Sequence, residues 1–193
     1  IGVAVSDTPT GPFKDAIGKA LVINEMTKDL PHAWDDIDPT VFVDDDGQAY
    51  MFWGNGSCRW VKLKSNMTEL DGEITTFMPK NYIEGPWVYK RKDLYYLLYA
   101  SKGTKPEMIE YCTAKSITGP WVYQGIIQEN VPNSFTTHPG VLDYKGKSYF
   151  FYHNGALPTG GSYRRSICID ELFYNEDGTI QKIIQTTKGV AVK

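Results

Sequence analysis

Two carboxylates and an imidazole occupy matching places in this sequence, each at the head of an apolar run: Asp38 in Asp38-Pro39-Thr40-Val41, Glu84 in Glu84-Gly85-Pro86-Trp87 and His138 in His138-Pro139-Gly140-Val141. Two carboxyl groups are the minimum equipment for acid–base chemistry in which one group delivers a proton and the other is kept charged. Taken singly, an Asp before Pro or a Glu before Gly-Pro reads as a turn starter. Three ionisable side chains at one repeated position weigh the other way. An uncompensated carboxylate in a crowded place is costly, and apolar residues would be cheaper there. Catalysis or ion binding is the chemistry that such convergence would serve.

The elements that must position these groups are legible as a repeat. The anchors at 38, 84 and 138 lie 46 and 54 residues apart. Each opens an apolar run (PTVFV, GPWVY, PGVLDY), then a turn around Asp45-Asp46-Gly47, Lys90 to Asp93 or Lys145-Gly146-Lys147, then an aromatic run (AYMFWG, DLYYLLYA, SYFFYHNG). These are three hairpins of β-forming residues. A third strand follows each (RWVKLK, MIEYCTA, YRRSICID), and then a polar segment with its own turn, at Leu70-Asp71-Gly72, Ser116 to Pro120 and Glu176-Asp177-Gly178. Four strands recurring every 40 to 50 residues are the mark of a β-propeller. The expected fold is therefore all-β, with four-stranded antiparallel blades at 31–80, 81–130 and 131–193. Because Ser6 to Phe13 echoes Ser116 to Trp121, residues 1–30 are expected to be the outer edge of a preceding blade. In a propeller the first strand of each blade lines the axis, which would bring Asp38, Glu84 and His138 into one ring. Three blades and an edge do not close such a ring, so the open faces are expected to be covered by self-association or by a partner chain.

Composition removes other classes. The chain has 193 residues, 41% hydrophobic, enough for a packed core. A net charge of -3 supplies no basic field for nucleic acid. No apolar stretch approaches the roughly 20 residues that a membrane-spanning helix needs. Cys58, Cys112 and Cys168 lie far apart without a Cys-x-x-Cys pair and are read as free and buried. The run Asp44-Asp45-Asp46 reads as a solvated hairpin turn completed by Gly47 rather than as a metal loop.

The segments Asp35 to Gly47, Ile83 to Trp87 and Thr137 to Val141, in this order and at this spacing, resemble glycoside hydrolase family 43, and the resemblance runs over nearly the whole chain. It implies a five-bladed propeller, about three blades of which are present, and a glycosidase that hydrolyses O-glycosyl bonds with inversion. Glu84 then matches the general acid, and Asp38 matches the aspartate that orients the acid and raises its pKa by like-charge repulsion. The general base of the family belongs to the first blade, ahead of Ile1. Inversion requires acid and base carboxyls about 6.5 to 9.5 Å apart so that a water fits between them. Arg165 matches an arginine that contacts the sugar, with Arg164 as the surface residue beside it. Trp53, Trp87 and Phe135 are candidates to stack on sugar faces, although core packing is the better expectation for each. His138 matches a histidine that in some members ligates a hydrated calcium ion, a weak cage for a cation that prefers oxygen donors. No cofactor is required by this chemistry. His32 and His153 are read as structural. The stretch from His153 to Gly161 resembles members active on xylan side chains, so the expected substrate is xylan or arabinoxylan, losing α-L-arabinofuranosyl or β-D-xylosyl units. The competing expectation is a non-catalytic piece that binds sugar or assembles with another chain.

Overall fold

The computed structural model describes residues 1–28, 32, 34–101 and 106–191. Apart from a short 3-10 turn at Asn24–Met26, the regular structure is β. Strands β1 (Ala4–Val5) and β2 (Lys14–Asp15) form a small antiparallel pair. A four-stranded antiparallel sheet follows in simple meander order: β3 (Thr40–Val43), β4 (Ala49–Trp53), β5 (Cys58–Leu63) and β6 (Leu70–Phe77). A second has the same order: β7 (Tyr82–Arg91), β8 (Leu94–Ser101), β9 (Met108–Ala114) and β10 (Val122–Gln128). The third holds β11 (Gly140–Tyr144), β12 (Lys147–Asn154) and β13 (Ser166–Leu172).

The sheets stack face to face, which explains the aromatic runs. In β4 every residue from Ala49 to Trp53 is buried, because the strand is central in its sheet and both faces are covered. Ala49, Met51 and Trp53 face a core completed by Leu21 and Val22, while Tyr50 and Phe52 face the core shared with Leu97 and Tyr99 of β8. The other face of β8 carries Tyr96, Leu98 and Ala100 into a third core with Val141, Phe150, Tyr152 and Leu172. A central strand covered on both faces reads as a continuous apolar run rather than an alternation.

The third sheet departs from expectation: it has three regular strands, and its last segment makes only the bridge Tyr174–Ile180. The backbone there spends its hydrogen bonds elsewhere. Ile183 donates to the Ile127 carbonyl of β10 at 2.7 Å, and Thr186 donates its amide and hydroxyl to Asp170 at 3.2 and 2.6 Å. The segment thus stitches two sheets together rather than extending one. Arg164 and Arg165 also fall just before β13, not within it, and Arg164 bridges to Gly161. All three cysteines are free; Cys58 and Cys112 are buried, but Cys168 is only half-buried. The Asp44 turn is closed by Gly47 N–H donating to the Asp44 carbonyl at 2.9 Å, and the Asp44 carboxylate accepts the Tyr95 hydroxyl at 2.7 Å, tying the first hairpin to the second.

Candidate active site

The loop before β3 is anchored by its own acidic residues. Asp35 accepts Arg59 Nη2 at 2.9 Å within the core. Asp36 accepts the Trp53 indole N–H at 2.8 Å and the Thr27 hydroxyl at 2.7 Å. Backbone bonds from Gly54 to the Ile37 carbonyl and from Asn55 to the Asp35 carbonyl, 3.0 and 2.9 Å, pin the loop to the β4–β5 turn. With its neighbours so held, Asp38 sits at φ +59°, a left-handed conformation that aspartate tolerates better than most side chains, and directly before proline. Backbone of this kind persists only where its surroundings impose it.

Glu84 lies in β7 between two register irregularities, from Tyr82 to Glu84 and from Glu84 to Trp87, where the strand bulges. Bulges commonly re-aim side chains next to active sites. Asn55 Nδ2 donates to Glu84 Oε2 at 2.7 Å. The adjacent Gly85, at φ +64°, takes the His138 ring against its Cα: a β-carbon there would lie 2.8 Å from His138 Nδ1. That nitrogen is in turn 4.0 Å from Asp38 Oδ2. The structure therefore brings Asp38, Glu84 and His138 together. Burial pushes the Asp38 carboxyl above its ordinary value; the His138 charge opposes this, the Glu84 carboxylate adds to it, and Arg165 opposes it.

Further polar groups complete the cluster. Glu107, 9% exposed, accepts the Thr137 amide at 3.1 Å on Oε2. Burial, first, raises its carboxyl to about 8, with the Thr137 amide pulling down and Glu84 pushing up. His153 is buried with Nε2 3.2 Å from the Thr136 hydroxyl, and burial followed by the Arg165 and His138 charges holds it down at about 4. It thus belongs to the cluster as a neutral imidazole. Arg165 is exposed; its Nε donates to the Ser162 carbonyl at 2.8 Å, and the Ser162 hydroxyl accepts the Phe135 amide at 3.1 Å. One serine thereby fixes both the arginine and Phe135, which is 44% exposed and stands edge-on to the exposed Tyr163 at 5.7 Å.

Two of the three aromatic candidates pack against cores. Trp53 is fully buried, its indole committed to Asp36, so it presents no face to a sugar. Trp87 is half-buried and packs on the core between the second and third sheets. Both rings sit in strands whose faces are covered, where aromatic residues serve packing. Asn55 and Glu107, conversely, escape a sequence reading. Asn55 looks like turn chemistry within Gly54-Asn55-Gly56, and Glu107 is a lone acid at the head of a third strand. For calcium, the described residues contain no group of three or more acidic, histidine or cysteine side chains that converge as a cage. His138 and Asp38 do not themselves build one.

Comparison with known proteins bears on the family and the fold. The sequence profile of glycosyl hydrolases family 43 matches residues 1–180. The chain is 33% identical to the β-D-galactofuranosidase xynD of Aspergillus niger over 98% of its own length and 57% of the relative's. It is 31% identical to an arabinoxylan arabinofuranohydrolase of Paenibacillus polymyxa over 99% of its length and 34% of the relative's. Among solved structures, an α-L-arabinofuranosidase from Clostridium thermocellum superposes with a TM-score of 0.82 at 37% identity, covering 96% of this chain and 65% of that one. The chain thus spans about half the length of the curated relatives it matches. With the profile covering nearly all of the chain and the sheets superposing on a solved member, the chain belongs to glycosyl hydrolases family 43.

Proposed function

We propose that this chain supplies the general-acid side of an inverting glycosidase acting on arabinoxylan-type polysaccharide, releasing α-L-arabinofuranosyl or β-D-xylosyl units. The observation that carries this reading is the half-buried Glu84 carboxyl, held by Asn55 on one oxygen and set among Asp38, Glu107 and Arg165. Glu84 delivers its proton to the leaving glycosidic oxygen as the bond to the anomeric carbon breaks and the electron pair passes to that oxygen. A water attacks from the opposite face of the ring, its proton taken by a base carboxylate that no residue of this chain is assigned to. Asp38 orients the acid. Arg165 offers guanidinium donors to sugar hydroxyls, and Phe135 with Tyr163 offers an exposed aromatic edge for a sugar ring. The named relatives above act on furanosides or arabinoxylan, which supports the substrate class. No step runs through calcium; an ion near His138 would be held mainly by water.

The test is hydrolysis of 4-nitrophenyl α-L-arabinofuranoside and β-D-xyloside by this chain, with and without sodium azide. Azide is a small anion that attacks the anomeric carbon without needing a protein base. Glu84→Gln is expected to lower kcat by about 10²- to 10⁴-fold, the usual worth of a positioned general acid. Turnover that survives this substitution rejects the assignment.

A further inference from the structure

We propose that Asn55 is a positioning residue for the general acid, and that the turn Gly54-Asn55-Gly56 is a shared mount holding both Glu84 and the loop that carries Asp38. This role rests on the general-acid reading of Glu84 and deepens it.

Three consecutive residues of the β4–β5 turn bind three consecutive residues of β7. The Gly54 carbonyl accepts the Tyr82 hydroxyl at 2.7 Å, the Gly56 amide donates to the Ile83 carbonyl at 2.7 Å, and Asn55 Nδ2 donates to Glu84 Oε2 at 2.7 Å. Ile83 is the residue that the bulge inserts, since Tyr82 pairs with Ser101 and Glu84 with the next residue along β8, Ala100. The turn therefore satisfies a carbonyl at the very point where the ladder is interrupted, and fixes the direction in which the bulge aims Glu84. On its other side the same turn donates two amides to the loop before β3: Gly54 to the Ile37 carbonyl at 3.0 Å and Asn55 to the Asp35 carbonyl at 2.9 Å. Asp38 is the next residue after Ile37, so one three-residue turn sets where both carboxylates stand. Only glycine serves at its first position. Gly54 has φ +131°, and a β-carbon there would lie 2.0 Å from the Ser57 carbonyl oxygen.

An amide suits the central position for a chemical reason. It carries no charge, so it holds Glu84 Oε2 whether the acid is loaded or spent, whereas a lysine or arginine would favour the ionised form. Presenting Oδ1 instead would set oxygen against oxygen, so Nδ2 is the atom that faces the carboxyl. With Oε2 engaged as an acceptor, Oε1 is left to carry the proton and deliver it. Asn55 and Glu84 are both half-buried, which shields their hydrogen bond from competing water. Asn55 acts through Glu84; its contribution is the direction in which the proton is offered.

The contact is tested first by NMR of the side-chain amides, which needs no turnover. The Asn55 pair is identified by its disappearance in Asn55→Ala, and Glu84→Ala, which removes the acceptor, is expected to move one proton of that pair upfield. An Asn55 signal indifferent to Glu84→Ala overturns the proposal. The role is tested with phenyl and 2,4-dinitrophenyl glycosides in the presence of azide. Phenolate leaves poorly without a proton, whereas 2,4-dinitrophenolate departs as a stable anion and needs the acid little. Asn55→Ala is expected to lower kcat on the phenyl glycoside by about 10- to 100-fold with KM changed less than about twofold, and on the 2,4-dinitrophenyl glycoside by less than about threefold. Asn55→Asp keeps the shape but offers Glu84 an acceptor for the proton it should deliver, and is expected to lose at least as much on the phenyl glycoside. Equal losses on the two glycosides, or an Asn55→Asp variant as active as the parent, overturn the positioning role. Full turnover of the phenyl glycoside by Glu84→Gln would instead overturn the general-acid reading, so the two failures are distinguishable.

Discussion

At the scale of single residues, the cluster is organised by which groups are forbidden a charge. His153 is enclosed beside Arg165 and His138, and its imidazole is held neutral to about 4 by burial first and by the Arg165 guanidinium second. In the unfolded chain the same imidazole takes its proton near 6.5. Its folded pKa is therefore depressed: its contribution is fully present above about 6.5 and is lost as pH falls toward 4, because the unfolded state binds the proton first. His153→Gln keeps a polar group near Thr136 but does not titrate. The variant is expected to lose less stability than the parent between pH 7 and pH 4, by on the order of 2 kcal/mol, in urea unfolding at a series of pH values. Parallel pH dependences for the two proteins would remove His153 from the acid response. Glu107 is the mirror case: its raised carboxyl favours the fold at low pH and disfavours it as pH rises from about 4.5 toward 8.

At the scale of elements, the site depends on loops and a bulge that present side chains no strand pattern foretells. The heads of β3, β7 and β11 are legible in the sequence because they recur at one place in a repeat, so spacing alone groups Asp38, Glu84 and His138. Asn55 and Glu107 are not legible in this way, since a turn and the head of a third strand carry no such mark; only the fold shows that they lean toward β7. Trp53 misleads for a related reason. An aromatic residue in a strand suits a cleft or a core equally, and the deciding cover comes from Asp36, seventeen residues earlier in the chain. Gly85 shows how tightly these elements meet. Gly85→Ala would force a side chain into a left-handed backbone and set its β-carbon 2.8 Å from His138 Nδ1. Gly146, at φ +75° in the β11–β12 turn, has the same backbone constraint and open space around it. Gly146→Ala is thus expected to cost about 1 kcal/mol, and Gly85→Ala roughly 1–3 kcal/mol with a displaced His138, as read by denaturant unfolding. Equal costs would show that the close approach of His138 contributes nothing.

At the scale of the whole molecule, three cores alternate with sheets, and the layers at the two ends have one covered face each. The residues of β11–β13 that point away from the third core include Leu142, opposite Tyr149, and Ile167, opposite His153. Leu142 is 51% exposed and Ile167 82%, with Phe151 and Ile169 half-buried on the same side. Sheet faces of this kind are where soluble chains associate, since apolar area is removed from water without any new directional contact. A second copy of this chain, presenting the same face, is the partner always at hand. The chain is therefore expected to self-associate with rising concentration in sedimentation experiments and to bind a hydrophobic dye. Lysine at both positions, Leu142→Lys with Ile167→Lys, leaves the three inter-sheet cores untouched. It is expected to raise the concentration needed for association by about tenfold or more, since withholding even half of one large side chain from an interface forfeits about 1 to 1.5 kcal/mol. Association that persists unchanged in the double variant would place the contact on another surface, with the β1–β2 end, where Val5 and Phe13 are also exposed, as the face to charge next.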